Sequence, residues 1–335
     1  MRKQERGILK NNEIHISSFS NFLVRIFVIG YKNEGESNIV LFFDGDNVIF
    51  SMIVDCFKKK DLNLASNLLL QYGVKKLDLA FWTHPHDDHS SGFDEIISKF
   101  LGPKTIVYFP RFLFPNFKPN VLISECTTAQ NVFFNLDKIN QTRSSRNPLL
   151  RTIDVNPGDT YSREYVLFDD DGNQKKFIVD FLTPIRPYIE QFGYQGCQEK
   201  LVDINELSIS FVMSLDSYDF YFGGDAEKKH VNFIDPERIA NMRWVKVPHH
   251  CSNNARFIAK NLIKGHFVCA ASTVYSPQLP KTDIQNEYKS KGRLFMTQLN
   301  ANPDLGEYGI VQFDCKFEQD QVKISPILYG NAYEY

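Results

Sequence analysis

The chain has 335 residues, of which 43% are hydrophobic, so it can bury a substantial core as one large domain or two smaller ones. Its formal net charge of −2 excludes a chain that attracts nucleic acid through overall positive charge, and any contact with a polyanion would need a local basic surface. The 29 Phe and 15 Tyr residues suit the interiors of β-strands.

The N-terminal segment shows no export or membrane signal. Residues 1–6 are charged, and no apolar run of roughly 18 residues follows, so we expect neither a membrane segment nor a signal peptide. The six cysteines have no regular spacing, which fits free thiols in a reducing compartment. We therefore expect a cytoplasmic protein, with residues 1–18 as a polar lead-in.

The first third of the chain alternates strands and helices. Residues 22–29, 37–43 and 48–54 are rich in β-branched and aromatic residues and predict strands, with a hairpin turn at 44–47. Leucines at helical spacing in 61–72, followed by Gly73, predict a helix with a C-terminal glycine. An apolar strand at 77–82 and a second helix at 91–100 follow.

Between that strand and that helix lies the densest set of metal-binding side chains. His84 and His86 are two residues apart and would share one face at the end of a strand, whereas Asp88 and His89 lie past the turn and would converge from another direction. Imidazoles with carboxylates suit zinc, manganese or iron, and two groups of ligands on one turn allow two adjacent ions. A structural zinc site would instead want closely spaced cysteine pairs. The competing interpretation is a polar loop with exposed histidines.

Residues 101–160 predict an insertion or lip beside this segment. Prolines interrupt residues 108–119 and argue against a regular helix or a central strand there. Arg143, Arg146 and Arg151 lie among small polar residues further on. They would suit the phosphates of a substrate that reaches the lip, with aromatic residues stacking on bases. A surface loop with solvated arginines is the simpler alternative.

The second half of the chain repeats the pattern of a strand that ends in polar residues. Residues 165–168 and 177–182 predict a hairpin, and 209–215 with 219–222 predict another that leads through two glycines to Asp225. The strand at 244–247 ends at Pro248 and presents His249 and His250. A helix at 253–263 and strands at 266–270, 293–296 and 309–313 follow. The pattern alone predicts an α/β or α+β fold, which we treat as one domain over 1–335.

In this order the segments resemble the signatures of the metallo-β-lactamase superfamily. The likeness is greatest to its ComEC-like branch, named for the hydrolase domain of the bacterial competence DNA-uptake channel. It extends from about residue 20 to about residue 315. The matching motifs are Gly35-Glu36-Ser37, the cluster at 84–89, Asn205-Glu206-Leu207-Ser208, Gly224-Asp225-Ala226 and the run from Lys246 to Ser252. The resemblance implies a four-layer αβ/βα sandwich, and it implies a strand at the Asn205–Ser208 motif.

The resemblance also implies a centre with two divalent metal ions, zinc or manganese. Its first ion would be held by His84, His86 and Asp225. The second would be held by Asp88, His89, Asp225 and one histidine of the 249–250 pair, of which we prefer His250. His249 then becomes a candidate proton donor, and Asp88 a candidate base that orients the attacking water. Both residues are thus the predicted catalytic groups.

Three further residues of the matching motifs are candidates for substrate contact. Asn205 and Ser208 would line the site, although their short side chains also suit the capping of a strand edge. Lys246 would reach a phosphate, although a structural salt bridge is an equally simple account.

Two departures from the family pattern bear on the metal site. Cys251 stands where the family has a glycine, and it is either a soft ligand or a small buried residue in the turn, which we prefer. No histidine occurs between His89 and His230, although much of the superfamily has one there. The first ion would therefore lack one protein ligand, which Asn205 or water would replace, and it would bind less tightly.

The leading hypothesis is a metal-dependent phosphodiesterase that acts as a nuclease, with nucleic acid or a nucleotide as its substrate. A hydrolase of small esters, amides or cyclic nucleotides is the second hypothesis, and a binding module without activity is the third. Since one fold supports many activities, the substrate has to be argued from the site.

Overall fold

The protein is described from a computed structural model that covers residues 3–4, 13–110, 127–142, 150–190, 203–275, 278–299, 306–318 and 321–335. The strands are β1 (Lys3–Gln4), β2 (Glu13–His15), β3 (Phe22–Tyr31), β4 (Gly35–Asp44), β5 (Asn47–Val54), β6 (Leu79–Phe81), β7 (Ile106–Pro110), β8 (Leu150–Ile153), β9 (Tyr161–Phe168), β10 (Gln174–Phe181), β11 (Phe211–Leu215), β12 (Tyr218–Phe222), β13 (Met242–Lys246), β14 (Cys269–Ser272), β15 (Arg293–Met296), β16 (Gly309–Glu318), β17 (Gln321–Gly330) and β18 (Tyr333–Glu334). The helices are α1 (Leu64–Gln71), α2 (Asp87–Ser90), α3 (Phe93–Phe100), α4 (Thr127–Gln141), α5 (Lys228–Val231), α6 (Pro236–Ala240), α7 (Arg256–Asn261) and α8 (Thr282–Lys291). Over these ranges, no helix combines the length and the apolar composition that crossing a bilayer would take.

The strands form two sheets, and each sheet has a parallel part. The loops that follow the parallel strands lie at the carboxyl edge of the sheet. Sheet I contains ten strands in the order β1-β9-β10-β11-β12-β13-β14-β15-β18, with β2 also paired to β9. Sheet II contains eight strands in the order β17-β16-β3-β4-β5-β6-β7-β8. Strands β12 to β15 run parallel in sheet I, and β5 to β8 run parallel in sheet II. The carboxyl ends of parallel strands are where open α/β sheets hold their ligands.

Three separate hydrophobic cores show how the layers stack. One core packs the inner faces of the two sheets together, with Phe81 of β6 against Phe211 of β11 at 4.4 Å between ring centroids. A second core joins the outer face of sheet II to α1, α3 and α4. A third joins the outer face of sheet I to α5 to α8. The order helices, sheet, sheet, helices is a four-layer αβ/βα sandwich, as the resemblance implies.

Side-chain alternation explains why the strands read as continuous apolar runs. Along β4, Val40 and Phe42 face the core between the sheets, whereas Leu41 and Phe43 face the helices on the other side. Successive side chains of a strand point to opposite faces, and here both faces are buried. A strand of this kind therefore has no polar face and shows no polar–apolar alternation.

Most of the predicted elements are confirmed. The hairpin turn at 44–47 joins β4 to β5 with Gly45 at a φ of 58°, and Gly73 ends the segment of α1 at a φ of 70°. The predicted strands at 165–168, 177–182, 209–215 and 219–222 correspond to β9 to β12. The predicted helix at 253–263 is shorter, because a 3₁₀ turn (Asn253–Ala255) precedes α7.

Residues 101–160 contribute more to the sandwich than a lip would. β7 lies between β6 and β8 in sheet II, and α4 packs on the outer face of that sheet. The expectation that prolines exclude a central strand fails at its start, because β7 ends at Pro110 and pairs there only with β8. Residues 111–126 and 143–149 lie outside the described ranges.

Strands near both ends of the chain were not expected from the sequence. Within the segment predicted as a polar lead-in, β1 and β2 pair with β9 at the edge of sheet I. At the other end of the chain, β17 forms a ten-residue hairpin partner for β16, and β16 in turn pairs with β3. The predicted closing strand at 309–313 is therefore an interior strand of sheet II.

Candidate metal centre

The predicted ligands meet at the edge where the parallel strands end. His84 follows β6, and α2 carries Asp88 and His89 directly after it. Asp225 follows β12, and His250 follows β13 in a 3₁₀ turn (Pro248–Cys251). Because β6 belongs to sheet II and the other two strands to sheet I, the site lies across the two sheets.

Four side chains bring one donor atom each into a single small volume. The donor atoms of Asp88, His89, Asp225 and His250 all lie within 4.8 Å of one another, and all four side chains are buried. Asp88 Oδ2 lies 3.4 Å from both His89 Nε2 and His250 Nε2. Asp225 Oδ1 lies 3.5 Å from His89 Nε2, and Asp225 Oδ2 lies 3.6 Å from His250 Nε2.

These distances fit the ligands of one metal ion better than they fit hydrogen bonds. A hydrogen bond between nitrogen and oxygen would bring the atoms to about 2.9 Å. Bonds of about 2.0–2.2 Å around a tetrahedral ion place neighbouring donor atoms roughly 3.3–3.6 Å apart. His89 Nε2, Asp225 Oδ1 and His250 Nε2 are also buried without a hydrogen-bond partner. Since unpartnered buried polar atoms are costly, this donor set fits a divalent cation.

His84 and His86 lie beside this set. His84 is buried, with its ring centroid 4.3 Å from that of His89, whereas His86 is half-buried. The atoms His84 Nε2 and His86 Nδ1 are 3.1 Å apart. That separation suits either a hydrogen bond between the rings or two nitrogens that bind one ion.

A buried carboxylate that the sequence analysis did not single out orients two of these histidines. Asp55 follows β5, and its Oδ2 accepts a hydrogen bond from His89 Nδ1 at 2.8 Å and from the Thr83 hydroxyl at 2.6 Å. The Thr83 hydroxyl, having donated to Asp55, accepts from His84 Nδ1 at 3.0 Å. Protons on both Nδ1 atoms leave both Nε2 lone pairs for a cation, as in other metal sites with a carboxylate behind the histidine.

The electrostatics of the cluster favour a bound cation. Burial alone would raise the pKa of Asp225, but His250, His89 and His249 together hold it well below its usual value. Burial would lower the pKa of His89, but Asp88, Asp225 and Asp55 raise it well above its usual value. The Asp225 carboxylate is thus in its ligand form, and the negative charge that raises the pKa of His89 would also attract a metal ion to this position.

Two glycines allow Asp225 to approach the histidine pair. A Cβ on Gly223 would lie 2.7 Å from Pro248 Cα, and one on Gly224, whose φ is 50°, would lie 2.6 Å from Ser208 Oγ. The Asp225 amide donates to Ser208 Oγ at 2.8 Å, so Ser208, which is buried, fixes the backbone of Asp225. This contact accounts for a serine at position 208 without a role in binding substrate.

The expected strand at the Asn205–Ser208 motif is wrong. Residues Ile204–Leu207 form a 3₁₀ turn capped by Asp203, because the Asp203 side chain accepts from the Asn205 amide. Asn205 is buried and its Oδ1 has no hydrogen-bond partner. A free buried oxygen keeps Asn205 as a candidate for contact with substrate or metal.

Lys246 is placed differently from a residue that reaches a phosphate. Its side chain is 1% exposed, and Nζ lies 2.8 Å from Glu36 Oε2, which is equally buried. Lys246 therefore forms a structural salt bridge with Glu36, which was the alternative to substrate contact in the sequence analysis. Glu36 belongs to the matching motifs but was not among the predicted site residues.

His249 stands at the outer side of the cluster. Its side chain is 19% exposed, and its Nε2 lies 4.0 Å from Asp225 Oδ2. Its Nδ1 lies 3.0 Å from Glu227 Oε1. Burial alone would lower the pKa of His249, but Asp225 and Glu227 together raise it to about 9. The ring is therefore held in its protonated form between the buried carboxylate and the surface.

The turn that presents this histidine pair has an unusual backbone. His249, His250 and Cys251 have consecutive positive φ values of 47°, 49° and 62°. Such a run is costly for residues with a Cβ, so the surrounding packing must impose it. Cys251 itself is buried in the core between sheet I and its helices, in agreement with the preferred interpretation of a small buried residue.

The predicted arginines are not part of the described site. Arg143 and Arg146 lie outside the described residues. Arg151 is half-buried on β8, two strands away from β6 in sheet II. Sequence reasoning also missed Asp55, Thr83 and Thr273, although each follows an apolar strand in the same way as the predicted ligands. The position of a polar residue directly after an apolar strand was thus the sequence signal that could have identified these three residues.

Comparisons with known proteins give a limited result. No protein-family model and no curated protein matches the sequence. Among solved structures the protein is similar to one described as a new diphosphatase from the PhnP family. The similarity has a TM-score of 0.41 and 14% sequence identity, and it covers 87% of this chain and 98% of that chain. The fold assignment therefore rests on the sheets and cores themselves.

Proposed function

We propose that the protein is a metal-dependent hydrolase of phosphodiester bonds. The observation that carries the proposal is the convergence of four buried donor atoms, three of which have no hydrogen-bond partner. A binding module without activity would have no reason to keep such a costly arrangement. The proposal assigns a role to each of the predicted catalytic and metal-binding residues.

Asp88, His89, Asp225 and His250 would hold one ion, and His84, His86 and Asp225 the other. Such ions supply an activated water and a Lewis acid for the phosphoryl oxygen. Zinc or manganese suits this mixture of imidazole and carboxylate donors.

The remaining chemistry belongs to side chains of the protein. Asp88 has a buried carboxylate at the centre of the cluster, where it would orient the attacking water and accept its proton. His249, whose side chain is 19% exposed, would give a proton to the leaving oxygen. Glu227 would keep the His249 ring oriented through Nδ1.

The nature of the substrate is the finer part of the proposal. A nuclease would need a basic surface to hold its polyanion, and Arg143, Arg146 and Arg151 are the candidates. Glu227 and the exposed Asp203 both act on His249 electrostatically, so the described surroundings of the proton donor are acidic. That observation favours the second candidate function, a hydrolase of small esters, amides or cyclic nucleotides, of which cyclic nucleotides contain a phosphodiester.

Four cysteines among the described residues are free thiols, which supports the proposed cytoplasmic location. Cys56, Cys251, Cys269 and Cys315 are all buried, so they also pack as small apolar groups. They therefore give no reason to add a cysteine ligand to the centre.

A substrate panel tests the proposal. Protein stripped with a chelator and reloaded with manganese or zinc is assayed on plasmid, single-stranded DNA, RNA, cyclic nucleotides, a chromogenic phosphodiester and a chromogenic carboxylic ester. We expect metal-dependent cleavage of phosphodiesters. Cleavage of the carboxylic ester alone would contradict the phosphodiesterase, and activity that survives the chelator would contradict the metal-dependent hydrolase.

A further inference from the structure

Behind His250, on the side of the ring away from Asp88 and Asp225, lies a chain of buried polar groups. Thr273 Oγ1 is 2.8 Å from His250 Nδ1. The Thr273 hydroxyl is hydrogen-bonded to Glu36 Oε2, and Lys246 Nζ lies 2.8 Å from that same oxygen. None of these four side chains is more than 1% exposed. This series of hydrogen-bonded side chains is therefore shielded from water.

We propose that Thr273, Glu36 and Lys246 are positioning residues for His250. Together they fix its ring in the one tautomer that can bind a metal ion. The inference rests on the metal centre of the proposed function. It assigns Lys246 to the protein's own ligand instead of to a substrate phosphate.

The direction of the hydrogen bonds follows from what each group can do. A carboxylate only accepts, so the Thr273 hydroxyl must donate to Glu36. Its oxygen is then left to accept from His250 Nδ1–H. With the ring proton on Nδ1, the lone pair of His250 Nε2 points at Asp88 and Asp225, 3.4 Å and 3.6 Å away. The distance of 3.4 Å from His250 Nδ1 to Glu36 Oε2 is too long for a direct hydrogen bond.

Lys246 completes this arrangement. A carboxylate as buried as Glu36 requires a counter-charge, and the lysine ammonium supplies it. The ammonium has only donors, so it cannot compete with Glu36 as an acceptor for the Thr273 hydroxyl. Its other hydrogen bond goes to the Val247 carbonyl at 3.2 Å. The lysine therefore stabilises the arrangement in which the Thr273 hydroxyl donates to Glu36 and accepts from His250.

The chain also joins the two sheets at the metal centre. Glu36 lies on β4 of sheet II, whereas Lys246 ends β13 and Thr273 follows β14 in sheet I. Since His250 comes from sheet I and Asp88 from the β6 side of sheet II, this link holds together the two halves that supply the ligands. A structural link alone would stabilise the fold, but it would not select a tautomer.

The first test measures zinc affinity by competition with a chelator. We expect Thr273→Val, which keeps the shape of the side chain and removes the hydroxyl, to weaken binding about 10–100-fold. Thr273→Ser restores the hydroxyl and should bind as the wild type does. Thr105→Val is the matched control, because Thr105 is also buried and its hydroxyl donates to the Leu77 carbonyl at 2.6 Å, at the opposite end of β7 from the site.

Three outcomes of this test are distinguishable. Equal zinc affinities for the wild type and Thr273→Val would overturn the inference and leave the proposed function standing. An equal loss in Thr105→Val would also overturn it, since any buried threonine would then have the same effect. A wild type that binds no zinc would overturn the proposed function and the inference together.

Lys246→Met separates positioning from substrate contact. We expect it to weaken zinc binding, whereas a lysine that contacted a phosphate would raise KM and leave zinc affinity unchanged. The latter result would overturn the assignment of Lys246. In the double variant Glu36→Gln with Lys246→Met neither member of this buried ion pair is charged, so its unfolding temperature should recover above that of Lys246→Met.

The tautomer of His250 can be observed in the metal-free protein without replacing Thr273, Glu36 or Lys246. Long-range proton–nitrogen correlation spectra of imidazoles distinguish Nδ1–H from Nε2–H, and His250→Gln identifies the signal. We expect Nδ1–H for His250. An Nε2–H tautomer in the folded wild type would overturn the inference even if Thr273→Val failed to fold.

Discussion

The two halves of the metal centre differ in how many donors they bring together. On one side, Asp88, His89, Asp225 and His250 supply four converging buried atoms. On the other, His84 and His86 supply two nitrogens 3.1 Å apart, and His86 is only half-buried. In the proposed centre, the first group would be a complete ligand set, and the second would depend on Asp225 as a shared ligand.

The difference follows from what lies behind each ring. His89 and His250 are connected through Nδ1 to buried carboxylates, Asp55 directly and Glu36 through Thr273. Each is thereby left with an unpartnered Nε2. In the other half, Thr83 connects His84 to Asp55, but His84 Nε2 is within hydrogen-bond distance of His86. A hydrogen bond at Nδ1 therefore leaves Nε2 free to bind a metal ion only when no neighbouring side chain is hydrogen-bonded to Nε2.

The largest effect should come from the residue that both halves share. Asp225→Ala removes a carboxylate from each ligand set, so we expect a loss of activity of roughly 10³-fold or more while the chain stays folded. Turnover on a chromogenic phosphodiester and the unfolding temperature measure the two quantities. Near-normal turnover in a folded variant would contradict a centre with two ions.

Removing one histidine from each half should separate the two ions. The protein should bind two transition-metal ions, and the ion at His84 and His86 should be the weaker. We expect His250→Ala to lose the tighter binding event and His86→Ala the weaker one, as measured by calorimetric titration with zinc. Equal affinities, or no zinc, manganese or iron after metal loading, would break the comparison.

The sequence was sufficient to single out the candidate ligands, but not the residues that orient them. The cluster at 84–89, Asp225 and the pair at 249–250 are visible because several metal-binding side chains follow apolar strands. Asp55, Thr83 and Thr273 are single polar residues with no such pattern, and only the approach of two sheets brings them behind the rings. The ion pair of Lys246 with Glu36 joins residues 210 positions apart in the chain, so local sequence spacing could not predict it.

The same limit applies to the strands. β4 and β5 were predictable because local composition decides them, and the hairpin turn between them is short. The pairing of β2 with β9 depends on an edge formed by residues about 150 positions later in the chain. Long-range pairing of this kind is invisible to local propensity.

A smaller effect should separate polymeric from small substrates. Replacing Arg143, Arg146 and Arg151 with serine should raise KM for nucleic acid and flatten its salt dependence, because these residues are the candidate basic surface of an acidic chain. Hydrolysis of a small chromogenic phosphodiester should barely change. Equal losses on both substrates would show that the arginines support the fold or the centre, and no loss on either would show that they do not contact the substrate.

The smallest effect should come from Cys251, which lies beside the second ligand set but packs away from it. Cys251→Gly removes a Cβ from a residue at a φ of 62°, and it also removes a side chain from the core between sheet I and its helices. Relief of the backbone and loss of packing oppose each other, each on the order of 1 kcal/mol, so the free energy of unfolding should change by less than about 1 kcal/mol. Zinc affinity and turnover should stay within about twofold, since donor sets that include cysteine are absent from the metal-binding groups of the described residues. A large loss of zinc affinity in Cys251→Gly would mean that the thiol is a ligand, and the set of four donors would then have to be redrawn around it.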